Sequence, residues 1–393
     1  MKTIKQAVIL AGGKGVRLRP LTLKTPKPMI KIHGKPFLEY IIELLKNNRI
    51  EKVLILTGYL HEQIENYFRD GREFGLSISY LYSPIEDDTG TRVQKAKDLI
   101  EGTFLLLYSD NYWPLRLGKL YSFYKKKKKE ALVTVYSNLD NYTKNNILVS
   151  DKGFVEVYDE SRQAPGLNGV DIGFFILNKD ILKNLPKENF SFEKIVIPEL
   201  IAKKELAGFL THHKYYGLSN PERIPAIEDF FIPKKVVFLD RDGVINKRPP
   251  KAKYITSWDE FEFLPKVKDA LRLLKKKAYI IFIATNQPGI ARKMLTENQL
   301  NNIHKKLIKE LEKIEVEIKD IFVCMHGWDE GCFCRKPKPG IFFEAAAKYN
   351  INLFKSYYIG DDTRDIIAGN MAGCKTFLAN SRNSLYSIVS KYL

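Results

Sequence analysis

Cysteine is scarce in this 393-residue chain, with only four residues of that type. That excludes a disulfide-stapled secreted scaffold. Long apolar runs are missing as well. A run such as residues 279–284 has the length of a strand, far below the ~20 residues needed to cross a bilayer. The N-terminus carries no export pattern, because its apolar stretch from Ala7 to Ala11 is short and leads into glycines. A cytoplasmic protein without membrane insertion is the expectation. Acidic residues are outnumbered, 46 against 64 Lys and Arg, for a formal net charge of +18. Such a balance raises the question of nucleic-acid binding. The charge is spread over the chain, however, and no aromatic-interleaved RNA motif accompanies it. The run Lys125 to Lys129 reads as a solvated helix face, so no nucleic-acid partner is expected. A positive field also suits phosphorylated sugars and nucleotides.

What is present is two rounds of short apolar runs alternating with helical patterns. In the first, residues 5–10, 52–57, 77–82 and 103–108 read as strands, with helices over about 36–47 and 60–68. In the second, strands are expected at 235–239, 279–284, 321–325 and 356–359, with helices over about 266–276 and 296–314. This alternation predicts an α/β fold with two doubly wound, mostly parallel domains. The expected boundaries are 1–228 and 234–393, with a short, partly apolar joint between them. Ligands in such sheets sit at the carboxyl ends of strands, and Asp110 falls just past one.

The first strand leads into Gly12-Gly13-Lys14-Gly15. Glycines let backbone N–H groups approach phosphate oxygens, and Lys14 and Arg17 can neutralise charge. The loop is not a Walker sequence. It continues as Arg17-Leu-Arg-Pro-Leu-Thr22 and Pro26-Lys-Pro-Met29. The stretch from Ala7 to Tyr40 resembles sugar-1-phosphate nucleotidylyltransferases, and the likeness extends more weakly to about residue 225. The resemblance implies transfer of a nucleotidyl group from an NTP to a sugar 1-phosphate, with Mg²⁺ and release of pyrophosphate. It implies that Gly12, Gly13, Gly15 and Arg17 cradle the triphosphate and that Lys27 offsets phosphate charge. Asp110 stands at the Mg²⁺-binding position and Glu193 at a sugar-binding one. Three segments depart from the family. Residues 86–91 read Glu-Asp-Asp-Thr-Gly-Thr instead of a Leu-Gly-Thr-type turn. Asp159-Glu160 replaces Glu-Lys, leaving Arg162 as the substitute cation. Gly217 occupies the place of a second metal-binding Asp, leaving Asp171 as another source. A nucleotide-sensing domain without turnover therefore stays open beside the transferase reading.

The second round opens with Phe-Leu-Asp240-Arg-Asp242-Gly-Val-Ile-Asn246. Two acids at i and i+2 past a strand supply a carboxylate nucleophile and a neighbouring acid for a leaving alkoxide. Thr285-Asn286 ends the next strand, Arg335-Lys336 follows, and Gly360-Asp361-Asp362-Thr-Arg-Asp365 ends a later one. These four elements, in that order, resemble the haloacid-dehalogenase superfamily. The branch is that of the heptose-bisphosphate and histidinol-phosphate phosphatases. The resemblance implies that Asp240 forms an aspartyl-phosphate and that Asp242 is general acid, then base. It implies Mg²⁺ on Asp240, the Asp242 carbonyl and Asp361. Thr285, Asn286 and Lys336 would hold the phosphoryl group, and Asn246 and Arg335 would touch substrate. Asp362 and Asp365 stay open between metal support and loop capping.

Cys324, His326, Cys332 and Cys334 crowd into one loop. Three thiolates and an imidazole make a closed tetrahedral Zn²⁺ set, which points to a structural ion. The two halves suit consecutive steps on one sugar. A heptose 1,7-bisphosphate loses its 7-phosphate, and the heptose 1-phosphate then receives a nucleotidyl group, with GTP the expected donor. The expected partners are sugar phosphates and a nucleotide. The alternatives are a phosphatase alone, on heptose or histidinol phosphate, and more remotely a nucleic-acid end-processing protein.

Overall fold

The structure, a computed structural model, describes residues 4–250 and 253–393. The chain divides into two compact units, Met1–Asp229 and Phe230–Leu393. Among the described residues no helix is long and apolar enough to cross a membrane.

The first unit is built on a seven-stranded sheet. Its strands are β1 (Gln6–Ala11), β2 (Lys52–Thr57), β3 (Ser77–Tyr82), β4 (Thr103–Tyr108), β5 (Ala131–Tyr136), β6 (Val170–Asn178) and β7 (Leu206–Thr211), in the order β7-β5-β6-β4-β1-β2-β3. Strands β1 to β4 are mutually parallel. Strand β6 runs against both of its neighbours. The mostly parallel expectation therefore holds with one reversed strand. Between β5 and β6 the chain makes an excursion through a two-stranded ribbon, Ile147–Val149 with Val155–Tyr158. Every residue of β1 is buried, so the strand reads as a continuous apolar run rather than an alternating one.

The second unit holds a five-stranded parallel sheet of β8 (Lys235–Leu239), β9 (Tyr279–Asn286), β10 (Asp320–Cys324), β11 (Tyr357–Gly360) and β12 (Lys375–Leu378). Its order is β10-β9-β8-β11-β12. Val236 and Phe238 pack into one core with Phe282, Phe342 and Tyr358. Val237 and Leu239 pack into another with Leu271, Ile283 and Ile303. Both faces of β8 are thus covered. Burying each such side chain contributes roughly 1.5–3 kcal/mol, which fixes the end of β8 rigidly. The strand order reverses at β8, with β9 on one side and β11 on the other. That switch point opens a crevice at the carboxyl ends of the strands.

Candidate active sites

In the second unit Asp240 follows β8 directly, and its N–H donates to the Ile359 carbonyl at 2.9 Å. β9 ends with Thr285 and Asn286, and Asp361 follows β11 directly. All four residues line a cavity of about 420 Å³. Lys336, 3% exposed, lies 2.9 Å from Asp240 Oδ1 and 2.7 Å from Asp365 Oδ1. It also donates to the Ala284 carbonyl and the Tyr358 hydroxyl, and that hydroxyl donates to Asp365. Burial raises the Asp240 carboxyl against the pull of Lys336. Burial opposes the charge on Lys336 too, but Asp240 and Asp365 more than restore it.

Asp242 points to a different set of partners. Arg241 clasps both its oxygens, and the Asn246 and Gln287 amides donate to it at 2.9 and 2.8 Å. Burial works against its ionisation, yet Arg241 and the two amides hold its carboxyl below the usual range. Arg241 is fully buried and donates from its other arm to His304 Nε2 at 3.1 Å. His304 must accept that bond, so it is neutral, and burial lowers its pKa to about 3.

Carboxylate oxygens of Asp240, Asp361 and Asp365 come within 4.8 Å of one another. Oxygen donors at this spacing fit a hard divalent cation. Gly243, at φ 95°, makes this approach feasible, because a Cβ there would fall 1.9 Å from Asp361 Oδ2. Asp362 is set apart. It caps the helix Thr363–Ala372 and pairs with Arg364. Arg248 bridges Asp361 and Asp362 at 3.0 Å each. Arg335 lines the cavity, whereas Asn246 is fully buried behind Asp242 and forms no part of its wall.

The Cys/His loop is assembled beside this cavity. Sulfur–sulfur separations are 3.7 Å for Cys324–Cys332 and 3.6 Å for Cys332–Cys334. His326 Nδ1 lies 3.7 Å from Cys324 and 3.3 Å from Cys334. A tetrahedral ion with Zn–S bonds of about 2.3 Å and Zn–N of about 2.0 Å needs ligand separations of roughly 3.5–3.8 Å. Three of the four separations fall in or at the edge of this range and His326–Cys334 is about 0.2 Å short of it, so a small turn of the imidazole brings the set to a zinc geometry.

In the first unit a second cavity, about 410 Å³, sits at the carboxyl ends of β1 and β4. Gly12, Gly13, Gly15, Arg17, Lys27 and Asp110 line it. Lys27 and Asp110 form an ion pair. Gly15 has φ 63° and holds the loop against Thr22, whose hydroxyl donates to its carbonyl at 2.8 Å. Lys14 is exposed and stands outside the cavity wall. Glu193 also stands outside it, half-buried and accepting from Thr89 at 2.6 Å and Ser191 at 2.7 Å. Thr89 itself lines the cavity, so Glu193 reaches it through one hydroxyl. Burial raises the Glu193 carboxyl.

Gly217 pairs with Asn111 in a two-residue ribbon beside Asp110. A Cβ there would meet Asn111 Oδ1 at 2.9 Å, so an acid in that place would require the Asn111 side chain to shift. Asp171 does not replace it. It is half-buried, pushed up to about 6 by desolvation, and held by the Gly173 N–H and the Tyr158 hydroxyl. Arg162 likewise lies away from this cavity, donating to the Lys144 carbonyl.

Sequence reasoning missed Arg92. Its buried guanidinium donates to the Thr57, Ser83, Pro84 and Asp87 carbonyls and presses on the glycine loop. A Cβ on Gly12 would fall 2.2 Å from Arg92 Nη1, so the first glycine is demanded by this cation as well as by any ligand. Arg241, Gln287 and Arg248 were equally unassigned.

Residues 6–217 match the sequence profile of the nucleotidyl transferase family. The chain belongs to that family. Residues 235–381 match the profile described as polynucleotide kinase 3 phosphatase. This nucleotidyl transferase is thus fused to a haloacid-dehalogenase-type phosphatase, and the chain is an enzyme on both counts. A relative of the phosphatase unit is the D-glycero-beta-D-manno-heptose-1,7-bisphosphate 7-phosphatase of Bordetella bronchiseptica. It is 37% identical over 149 residues, covering 38% of this chain and 82% of that protein. A relative of the transferase unit is the D-glycero-alpha-D-manno-heptose 1-phosphate guanylyltransferase of Aneurinibacillus thermoaerophilus. It is 29% identical over 220 residues, covering 55% of this chain and 94% of that protein. HddC from Yersinia pseudotuberculosis shares the transferase fold, with a TM-score of 0.51 at 23% identity over 58% of this chain and the whole of that one.

Proposed function

We propose that the chain carries out two consecutive steps toward a GDP-heptose. The phosphatase unit removes the 7-phosphate of a heptose 1,7-bisphosphate. The transferase unit then joins the heptose 1-phosphate to GMP from GTP, releasing pyrophosphate. The observation that carries this is the pairing itself: one chain holds relatives of a heptose-bisphosphate phosphatase and of a heptose-1-phosphate guanylyltransferase. Removing the 7-phosphate leaves a heptose 1-phosphate, the class of compound the second is named for, and the alpha anomer of the guanylyltransferase's name is shared by other phosphatase relatives named for the alpha bisphosphate.

At the phosphatase site an Asp240 oxygen attacks phosphorus and the bond to the sugar oxygen breaks. Asp242 passes a proton to the leaving alkoxide. The dianionic phosphate entering beside Asp242 raises its proton affinity, which the acid step needs. Asp242 then takes a proton from the water that cleaves the aspartyl-phosphate. Thr285, Asn286 and Lys336 hold the phosphoryl oxygens, and Arg335 holds substrate. Asp240, the Asp242 carbonyl and Asp361 would bind Mg²⁺, which offsets phosphoryl charge when present. Asp365 keeps Lys336 in position. The Cys324–His326–Cys332–Cys334 set would hold a structural Zn²⁺.

At the transferase site a sugar-phosphate oxygen attacks the α-phosphorus of the nucleotide, and the bond to the β-phosphate oxygen breaks. Arg17, Lys27 and the N–H groups of the glycine loop stabilise the charge that develops. Mg²⁺ is commonly held by one or two carboxylates plus phosphate oxygens. Asp110, together with phosphate oxygens of the nucleotide, would hold it without an acid at Gly217.

A second reading, a nucleotide-sensing domain attached to a phosphatase, is favoured by Gly217. Incubation of the chain with heptose 1-phosphate, GTP and Mg²⁺ distinguishes the two. Pyrophosphate release supports the transferase; GTP binding without release under any sugar phosphate supports the sensor. Asp240→Asn is expected to abolish phosphate release, and substantial residual turnover would sink the nucleophile assignment.

A further inference from the structure

The rim of the phosphatase cavity carries an exposed tryptophan that the phosphoryl chemistry does not use. Trp328 is 64% exposed and lines the same cavity as Asp240 and Lys336. It lies between His326 and Cys332, so the Cys/His cluster pins the loop on both sides. Within that loop the Gly327 N–H donates to Glu330 at 2.6 Å, and Arg335 donates to the His326 carbonyl at 3.3 Å. The indole is thus in water yet presented by a constrained turn. The Arg292 guanidinium lies 5.4 Å from its ring centre and donates to the Tyr254 hydroxyl at 3.1 Å. Tyr254, also on the cavity wall, is seated against Gly289, where a Cβ would fall 2.9 Å from its ring. Tyr254, Arg292 and Trp328 form a connected bracket at the mouth, while the phosphoryl-handling groups sit at its inner end.

A large aromatic surface left in water at a polar cavity gains free energy when a ligand covers it. A phosphorylated sugar brings a flat array of C–H groups on its ring face and hydroxyls on its edge, which matches an indole face beside a guanidinium donor. We infer that Trp328 is a specificity-determining residue of the phosphatase, forming the wall against which the sugar ring of the substrate packs while its phosphate reaches Asp240. This rests on the proposed sugar-phosphate substrate. Covering part of the indole is expected to strengthen binding on the order of tenfold.

The test compares kcat/KM for heptose 1,7-bisphosphate with kcat/KM for acetyl phosphate, which has no ring to pack. Trp328→Ala is expected to lower the ratio of the two about tenfold, and Trp328→Phe to restore most of it. An unchanged ratio in Trp328→Ala overturns the inference and leaves the proposed function standing. If the parent protein cleaves acetyl phosphate but not the heptose bisphosphate, the proposed substrate fails and the inference fails with it. Fluorescence gives an independent readout. Asp240→Asn protein titrated with the heptose bisphosphate should change its tryptophan emission, and the Asp240→Asn/Trp328→Phe pair should not. Equal changes in both overturn the inference.

Discussion

Replacing Lys336 by Met tests how the phosphatase site is held together. The ammonium group is 3% exposed and within 3 Å of two carboxylates, 2.9 Å from Asp240 and 2.7 Å from Asp365. Met preserves the aliphatic stem and removes only the charge and its donors. Asp240 and Asp365 then face each other in a buried site, and the Tyr358 hydroxyl and Ala284 carbonyl lose a donor. Breaking a buried ion pair from one side costs about 3–5 kcal/mol, most of it from the stranded charge. For a unit the size of Phe230–Leu393, that corresponds to a fall in Tm of about 10 °C. A divalent cation on Asp240 and Asp361, beside Asp365, would replace part of the missing charge, so millimolar Mg²⁺ should recover several degrees. The assay is thermal unfolding of the full chain with and without Mg²⁺, followed beside phosphate release. A variant whose phosphatase transition stays within about 2 °C of the parent would refute the claim that Lys336 joins these acids.

Gly12→Ala should destabilise the transferase unit by roughly 1–3 kcal/mol, because its Cβ falls 2.2 Å from the Arg92 guanidinium. Gly13→Ala, with nothing within 4 Å, should stay within ~0.5 kcal/mol; equal denaturation midpoints for the two variants would contradict the packing. Protein purified without chelator should carry one zinc per chain by elemental analysis, and Cys332→Ser should lose it; an absence of zinc in the parent would remove the site. For His304 the folded pKa is depressed to about 3 from 6.5, so its contribution to stability is complete above pH 6.5 and is lost as pH falls toward 3. At pH 5 the loss is roughly 2 kcal/mol. His304→Gln, which keeps an acceptor for Arg241, should flatten the change in denaturation midpoint between pH 7 and pH 5; a slope equal to that of the parent would be the contrary result.

Much of the fold is legible where burial is continuous. Residues 52–57, 77–82, 103–108 and 235–239 are strands at the boundaries their composition predicts. Strand β8 shows why: Val236 to Leu239 are buried on both faces, so every position is apolar and the run stops at the first Asp. The reversal of β6 is not legible, because its antiparallel pairing with β4 and β5 joins distant segments and is not encoded in β6's own residues. The site residues divide in a similar way. Asp240, Thr285, Lys336 and Asp361 each end a strand or open a loop, and the structure gathers them in one cavity. Arg92 looks like any helical arginine until Thr57 and Ser83 are brought to it. Arg248 meets Asp361 across 113 positions of sequence. Asn246 sits in the motif, but its burial behind Asp242 depends on three-dimensional packing that spacing does not encode.

The most direct measurement supplies purified chain with heptose 1,7-bisphosphate, GTP and Mg²⁺ and follows phosphate, pyrophosphate and product mass together. Consecutive action on one sugar predicts phosphate release followed by an equal amount of pyrophosphate, with GDP-heptose accumulating. Phosphate release without pyrophosphate or nucleotide sugar, with each of the other NTPs as well, would contradict it.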